Sequence, residues 1–174
     1  MKIAELPGMQ IASPLVNPKA VNFRPTSWPP PDNFPVICDN EGQVVSRYGD
    51  CRWDLSPLAG YTLSIHFGDG KGKGAKLNAK NASLLRQLVA WWLWGPLGTK
   101  SIRYLVTKFE AIKPLFVICS GVDVVATELQ RFPKVIEQVA NYYNSRGNLA
   151  IAVLNELCLA QEMLGFRILD ESGI

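Results

Sequence analysis

Histidine is almost missing from this 174-residue chain, where His66 is the one imidazole. Cysteine is sparse: Cys38, Cys51, Cys119 and Cys158 stand far apart and form no C-x-x-C pair. A tetrahedral zinc site needs closely spaced thiolates or imidazoles, so no metal or other cofactor is expected. Long apolar runs are missing too. The longest uncharged apolar run, residues 87–98, falls short of the roughly 20 residues that span a bilayer. Glu5, Pro7 and Gly8 interrupt any signal-like apolar region near the N-terminus. These absences predict a cytoplasmic chain with no membrane partner. In that reducing compartment Cys38 and Cys51, which could meet across a hairpin, are expected to stay unpaired. Cys119 and Cys158 lie in apolar helical stretches and read as buried thiols.

Catalytic patterns are missing as well. An acid–base scheme built on imidazole would rest on His66 alone, and nothing beside it reads as a nucleophile with an orienting carboxylate. His66 reads as a strand-end residue. The stretch from Gly68 to Lys76, Gly-Asp-Gly-Lys-Gly-Lys-Gly-Ala-Lys, invites comparison with phosphate-binding loops. No window of it fits G-x-x-x-x-G-K-[ST], and G-x-G-x-x-G fails at Lys73 and at Ala75. It reads as a flexible linker or as a loop that touches polyanions without specificity. Glu156 and Glu162 are six residues apart, so they do not share a helix face as paired carboxylates would. No catalytic residue is expected, and the chain is not expected to be an enzyme by itself.

What the chain does have is apolar residues, at 48%, which suits a packed globule rather than a disordered tail. It also has proline at one end: nine of the twelve prolines lie in residues 1–57. Proline lacks a donor and fixes φ, so long helices are excluded there. Residues 1–33 read as an extended Pro-rich arm. Residues 34–67 read as a small β-hairpin region. In it Phe34–Cys38 and Gln43–Tyr48 flank the turn Asp39-Asn40-Glu41-Gly42, the chain turns at Trp53–Pro57, and Tyr61–Phe67 is one further strand. Residues 68–79 form the basic Gly/Lys loop. Residues 80–174 then read as helices, which makes the fold mainly α: a four- to five-helix bundle behind the arm and the hairpin.

Asn78 or Asn81 caps the first long helix, with Leu84, Leu85, Leu88, Trp91 and Trp92 inward, and Gly95-Pro96 stops it. Three indoles cannot all point inward at the spacing of Trp91, Trp92 and Trp94. Trp94 is therefore expected at a rim or in an exposed patch, with base stacking as the sharper alternative. A second helix from about Lys100 repeats Ile102, Leu105, Phe109, Ile112 and Phe116 at spacings of three and four. Pro114 should kink or divide it, and Gly121 ends it. A short helix over Asp123–Arg131 follows. Pro133 then opens another, with Val135, Ile136, Val139, Ala140 and Tyr143 inward. The last helix, residues 148–164, is apolar nearly all round, as a central helix or one awaiting a partner would be.

Charge is unevenly spread. Lys plus Arg against Asp plus Glu is five to six in residues 1–60, nine to two in 61–113 and four to seven in 114–174. Local positive fields attract polyanions. Lys100, Arg103, Tyr104, Thr107, Lys108 and Ala111 share the helix face opposite the apolar one, and Lys71, Lys73, Lys76, Lys80 and Arg86 precede them. Such a face is either solvated or set against DNA phosphates. The DNA-binding expectation names Lys71, Lys73, Lys76, Lys80, Lys100, Arg103, Thr107 and Lys108, gathered into one outward patch. The alternative is a protein-interaction or oligomerisation module that uses residues 148–164 and the acidic C-terminal third.

Three stretches carry a resemblance. They are Asp39-x-x-Gly42-x-x-x-Ser46-Arg47-Tyr48-Gly49-Asp50-x-x-Trp53-Asp54-Leu55, Phe67-Gly68-Asp69-Gly70, and Trp91-Trp92-Leu93-Trp94-Gly95-Pro96. Together they resemble the N-terminal part of bacterial integrase-like proteins, the tyrosine site-specific recombinases of mobile elements and their relatives. Ser101–Tyr104 through Leu115–Phe116 resembles the first helix of their core-binding domain, and Leu164–Asp170 resembles the end of that domain. The resemblance covers residues 34–174 and implies duplex DNA as the partner, in a setting of DNA integration and recombination. The family's chemistry needs a tyrosine nucleophile with arginines and a histidine-type set. No H-x-x-R occurs here, since Phe67, Gly68 and Asp69 follow His66. The resemblance therefore implies a truncated, decayed or stand-alone binding fragment that would not cleave DNA alone.

Overall fold

The computed structural model describes residues 27–72, 74, 76–94, 101–148 and 152. Expectations for residues 1–26, for Lys73 and Lys100, for the Gly95-Pro96 stop, for Cys158, and for nearly all of residues 148–164 and beyond lie outside these. About half of the described residues are helical, in five helices, alongside two small antiparallel strand pairs. None of the helices among the described residues is long and apolar enough to cross a membrane. The chain divides into two compact units, residues 1–70 with 89–106 and residues 71–88 with 107–174.

In the first unit, β1 (Pro35–Cys38) pairs antiparallel with β2 (Val44–Arg47), with register irregularities beside Ile37. The turn between them forms because the Asp39 carboxylate accepts the N–H groups of Glu41 and Gln43 at 2.9 and 2.8 Å, while Gly42 takes a positive φ. After β2, Gly49 donates to the Asp32 carbonyl at 2.8 Å, and a Cβ on Gly49 would lie 2.7 Å from the Asp32 side chain. Only glycine allows this approach.

The segment expected to turn at Trp53 instead contains β3 (Arg52–Asp54), which pairs antiparallel with β4 (Ser64–His66). Between them α1 (Ser56–Ala59) forms where the Asp54 carboxylate receives both the N–H and the hydroxyl of Ser56. Trp53 sits fully buried between strands, 4.8 Å from the Phe67 ring and 6.0 Å from Tyr48. The last turns of α2 (Ala79–Trp94) belong to this unit, and every residue from Val89 to Trp94 is buried. Trp28, after the described arm begins, packs edge-on against Trp91 at 5.8 Å.

In the second unit, Asn78 caps α2 through its side-chain oxygen, which accepts the Asn81 N–H at 2.9 Å. Asn81, one turn later, is buried. The helix α3 (Ile102–Gly121) carries Pro114 inside it and continues through it as one element of 20 residues. Phe109, Ile112 and Phe116 are buried on its inner face, as their spacing predicts. The short helix after it is of the tighter 3-10 kind, Ala126–Arg131. Pro133 opens α4 (Pro133–Asn144), whose Val135, Val139 and Tyr143 are buried while Ile136 and Ala140 are half-buried.

Candidate nucleic-acid interface

The polar side of α3 emerges at its first turns. Arg103, Tyr104 and Thr107 are exposed, Lys108 is half-buried, and Ile102 and Leu105 behind them are buried. Ala111, expected on the same outward face, is buried instead. Its carbonyl accepts the Tyr143 hydroxyl at 2.7 Å, so α4 covers that flank. The outward face continues along another line. Thr107, Glu110, Pro114 and Val117 are exposed or half-buried and fall within about 80° of one another at 100° per residue.

Lys71, Lys76 and Lys80 are exposed too, as a basic loop requires. Lys76 Nζ donates to the Gly72 carbonyl at 2.7 Å and closes that loop on itself. Lys80 stands in the first turn of α2. This turn is fastened to the far end of α3, where the Asn78 N–H and Asn81 Nδ2 donate to Ser120 Oγ at 3.2 and 2.8 Å. Ser120 follows Thr107 and Lys108 by about a dozen residues, which at 1.5 Å each puts about 18–20 Å of helix between them. Lys80 is therefore set apart from Thr107 and Lys108 along α3. Arg86 adds to neither position, because it is only 6% exposed.

The indoles do not offer a stacking platform. Trp94, expected at a rim, is 3% exposed, and Trp91 and Trp92 are buried with it. The end of α2 is covered on all sides, which the one-sided helical pattern did not foresee. Among the described residues no cluster of His, Cys, Asp or Glu could hold a metal ion. Burial pushes the Cys119 thiol up to about 11. Burial, with Asp39 next to it, also raises Cys38. Both are core residues, and Cys51 is an exposed free thiol.

A groove of about 360 Å³ lies on the outward side of α3, lined by Glu110, Lys113, Pro114, Val117, Ile118 and Tyr142. Arg146 stacks on the Tyr142 ring, 3.7 Å from its centroid, and Lys113 Nζ lies 5.2 Å from the Phe109 centroid. The spacing of positions 107, 110, 114 and 117 is the signal that could have revealed this second stripe. A second depression of about 340 Å³ lies beside Lys80, Ser83 and Thr127. No protein-family model, no curated protein and no solved structure matches this chain.

Proposed function

We propose that the chain is a non-catalytic DNA-contacting module, built like the N-terminal and core-binding portion of an integrase-like protein. One observation carries this reading: a cation, a phenol and a hydroxyl, those of Arg103, Tyr104 and Thr107, stand exposed on successive turns of α3. Phosphate oxygens take such donors, and contacts of this kind position a protein on a duplex without reading its sequence. Lys80, in the first turn of α2, supplies a second point of contact, and Lys71 and Lys76 precede it in the basic loop. The offset of Lys80, about 20 Å along α3, corresponds to roughly six phosphates at about 3.4 Å of axis each. Two such points suit a long polyanion better than a compact one. The role is holding DNA, and cleavage in the resembling family belongs to a catalytic half.

Fluorescence anisotropy with a labelled duplex tests this. Neutralising about five phosphates gives a slope of log affinity against log salt near −4, so raising salt from about 50 to 200 mM should weaken binding by a few hundredfold. Binding that is weaker than micromolar and indifferent to salt would sink the proposal.

A further inference from the structure

We infer that the groove between α3 and α4 takes one unstacked nucleobase of a single strand, with preference for a base that presents an amino group. This rests on the DNA-contacting reading and adds to it a substrate class and a second contact site.

The groove follows directly from Thr107 along the outward stripe of α3, through Glu110, Pro114 and Val117, about 10 Å further on. A strand whose phosphates lie on Thr107 and Lys108 reaches it within two nucleotides. The groove is lined by the apolar Pro114, Val117 and Ile118 and, beside them, by Tyr142. At about 360 Å³ it lies within the range of about 300–1,000 Å³ typical of small-molecule sites. The ring is held in place: Tyr143 meets it edge-on at 5.0 Å, and Arg146, anchored on the Tyr142 carbonyl at 2.7 Å, stacks on it. Arg146 covers one face of the ring, so a base stacks on the other, against a ring that is already ordered.

The rim adds polarity of both signs. Lys113 and Arg146 are cations beside the groove and suit the nucleotide's phosphate. Glu110 is exposed at the opening and can only accept hydrogen bonds when ionised. Acceptors facing a base edge favour cytosine N4, as carboxylates do elsewhere, over thymine, which offers no amino group.

The test compares labelled (dC)10, (dT)10 and a mixed-sequence duplex, titrated into the full chain. Wild type should bind (dC)10 about tenfold more tightly than (dT)10. Tyr142→Ala should weaken (dC)10 binding about tenfold and leave the duplex unchanged. Val117→Glu, at a half-buried position that does not support the core, should do the same should Tyr142→Ala fail to fold. Glu110→Gln should erase the difference between the two oligonucleotides. If duplex binding keeps its salt dependence while Tyr142→Ala and Val117→Glu bind single strands as wild type does, the groove is overturned and the DNA-contacting reading stands. An apolar peptide competing for the groove with no oligonucleotide effect has the same consequence. If the wild type binds neither duplex nor single strand, both fall.

Discussion

Asn81 Nδ2 donates to Ser120 Oγ at 2.8 Å, joining the first turn of α2 to the last turn of α3 across 39 residues of chain. The same amide donates to the Val124 carbonyl at 2.9 Å, and its oxygen accepts the Ala126 N–H at 2.8 Å. All three bonds are made inside the protein around a fully buried side chain, so the amide specifies how the chain leaves α3 and enters the 3-10 helix.

Asn81→Leu should cost about 3–5 kcal/mol, because the Ala126 N–H and the Val124 carbonyl lose their partners at roughly 1–3 kcal/mol each. Asn81→Asp keeps the acceptor and loses both donors. It should be about as damaging at neutral pH and recover partly on acidification, since a protonated carboxyl can donate again. Urea unfolding at pH 4.5 and 7 measures both, and a loss below about 1 kcal/mol for the leucine variant would show that the network is incidental.

Arg86 and Lys108 are both cations of the basic middle segment, yet they should behave differently. Arg86 is buried, so Arg86→Met should alter stability and leave the salt dependence of DNA binding as it was. Lys108→Ala should leave stability within about 0.5 kcal/mol and reduce the salt slope by about one. Paired melting curves and anisotropy titrations separate these outcomes. An unchanged slope in Lys108→Ala would remove Lys108 from the interface.

Much of this arrangement was legible in the sequence. The Asp39–Gly42 turn, the Asn78 cap, the inner stripe of α3 and the Pro133 start of α4 all follow from local chemistry that tertiary context did not override. Other features depended on that context. Trp94 is buried because the end of α2 is enclosed all round, which no periodicity indicates. Ala111 is inward because Tyr143 reaches its carbonyl from 32 residues away. The strand at Arg52–Asp54 is three residues long and exists only through its pairing with Ser64–His66. The distance of Lys80 from Lys108 reflects the Asn81–Ser120 bond, a long-range contact between two polar residues that no motif marks.

Alkaline pH should destabilise the fold in a defined order. Burial raises Cys119 from 9.0 to about 11, and it raises Tyr143 above its usual 10.0 as well. From pH 9 the unfolded chain releases the Cys119 proton that the folded chain keeps, and above pH 10 the same holds for Tyr143. Unfolding then releases protons, so stability is fully present below pH 9 and falls as pH rises. The two-unit difference amounts to about 2 kcal/mol lost by pH 11 from Cys119. Urea midpoints should be flat from pH 6.5 to 8.5 and fall beyond. Cys119→Ala should delay the fall to above pH 10, and a wild-type midpoint that holds to pH 11 would contradict the assignment.

Trp53 offers a test of core energetics, because its indole N–H is buried without a hydrogen-bond partner. An orphaned buried donor costs about 1–3 kcal/mol, so replacing the indole by a phenyl ring removes that cost while opening a small cavity. The two effects oppose each other, and Trp53→Phe should change stability by less than about 1.5 kcal/mol. Trp53→Ala removes the whole ring against Phe67 and Tyr48 and should cost about 3–5 kcal/mol. The ratio of the two losses is the informative quantity. If Trp53→Phe approached the alanine variant, the N–H would have to be making a favourable interaction, such as pointing at the face of the neighbouring Phe67 ring. A Trp53→Phe, Phe67→Leu double-mutant cycle would then detect it as coupling above about 0.5 kcal/mol.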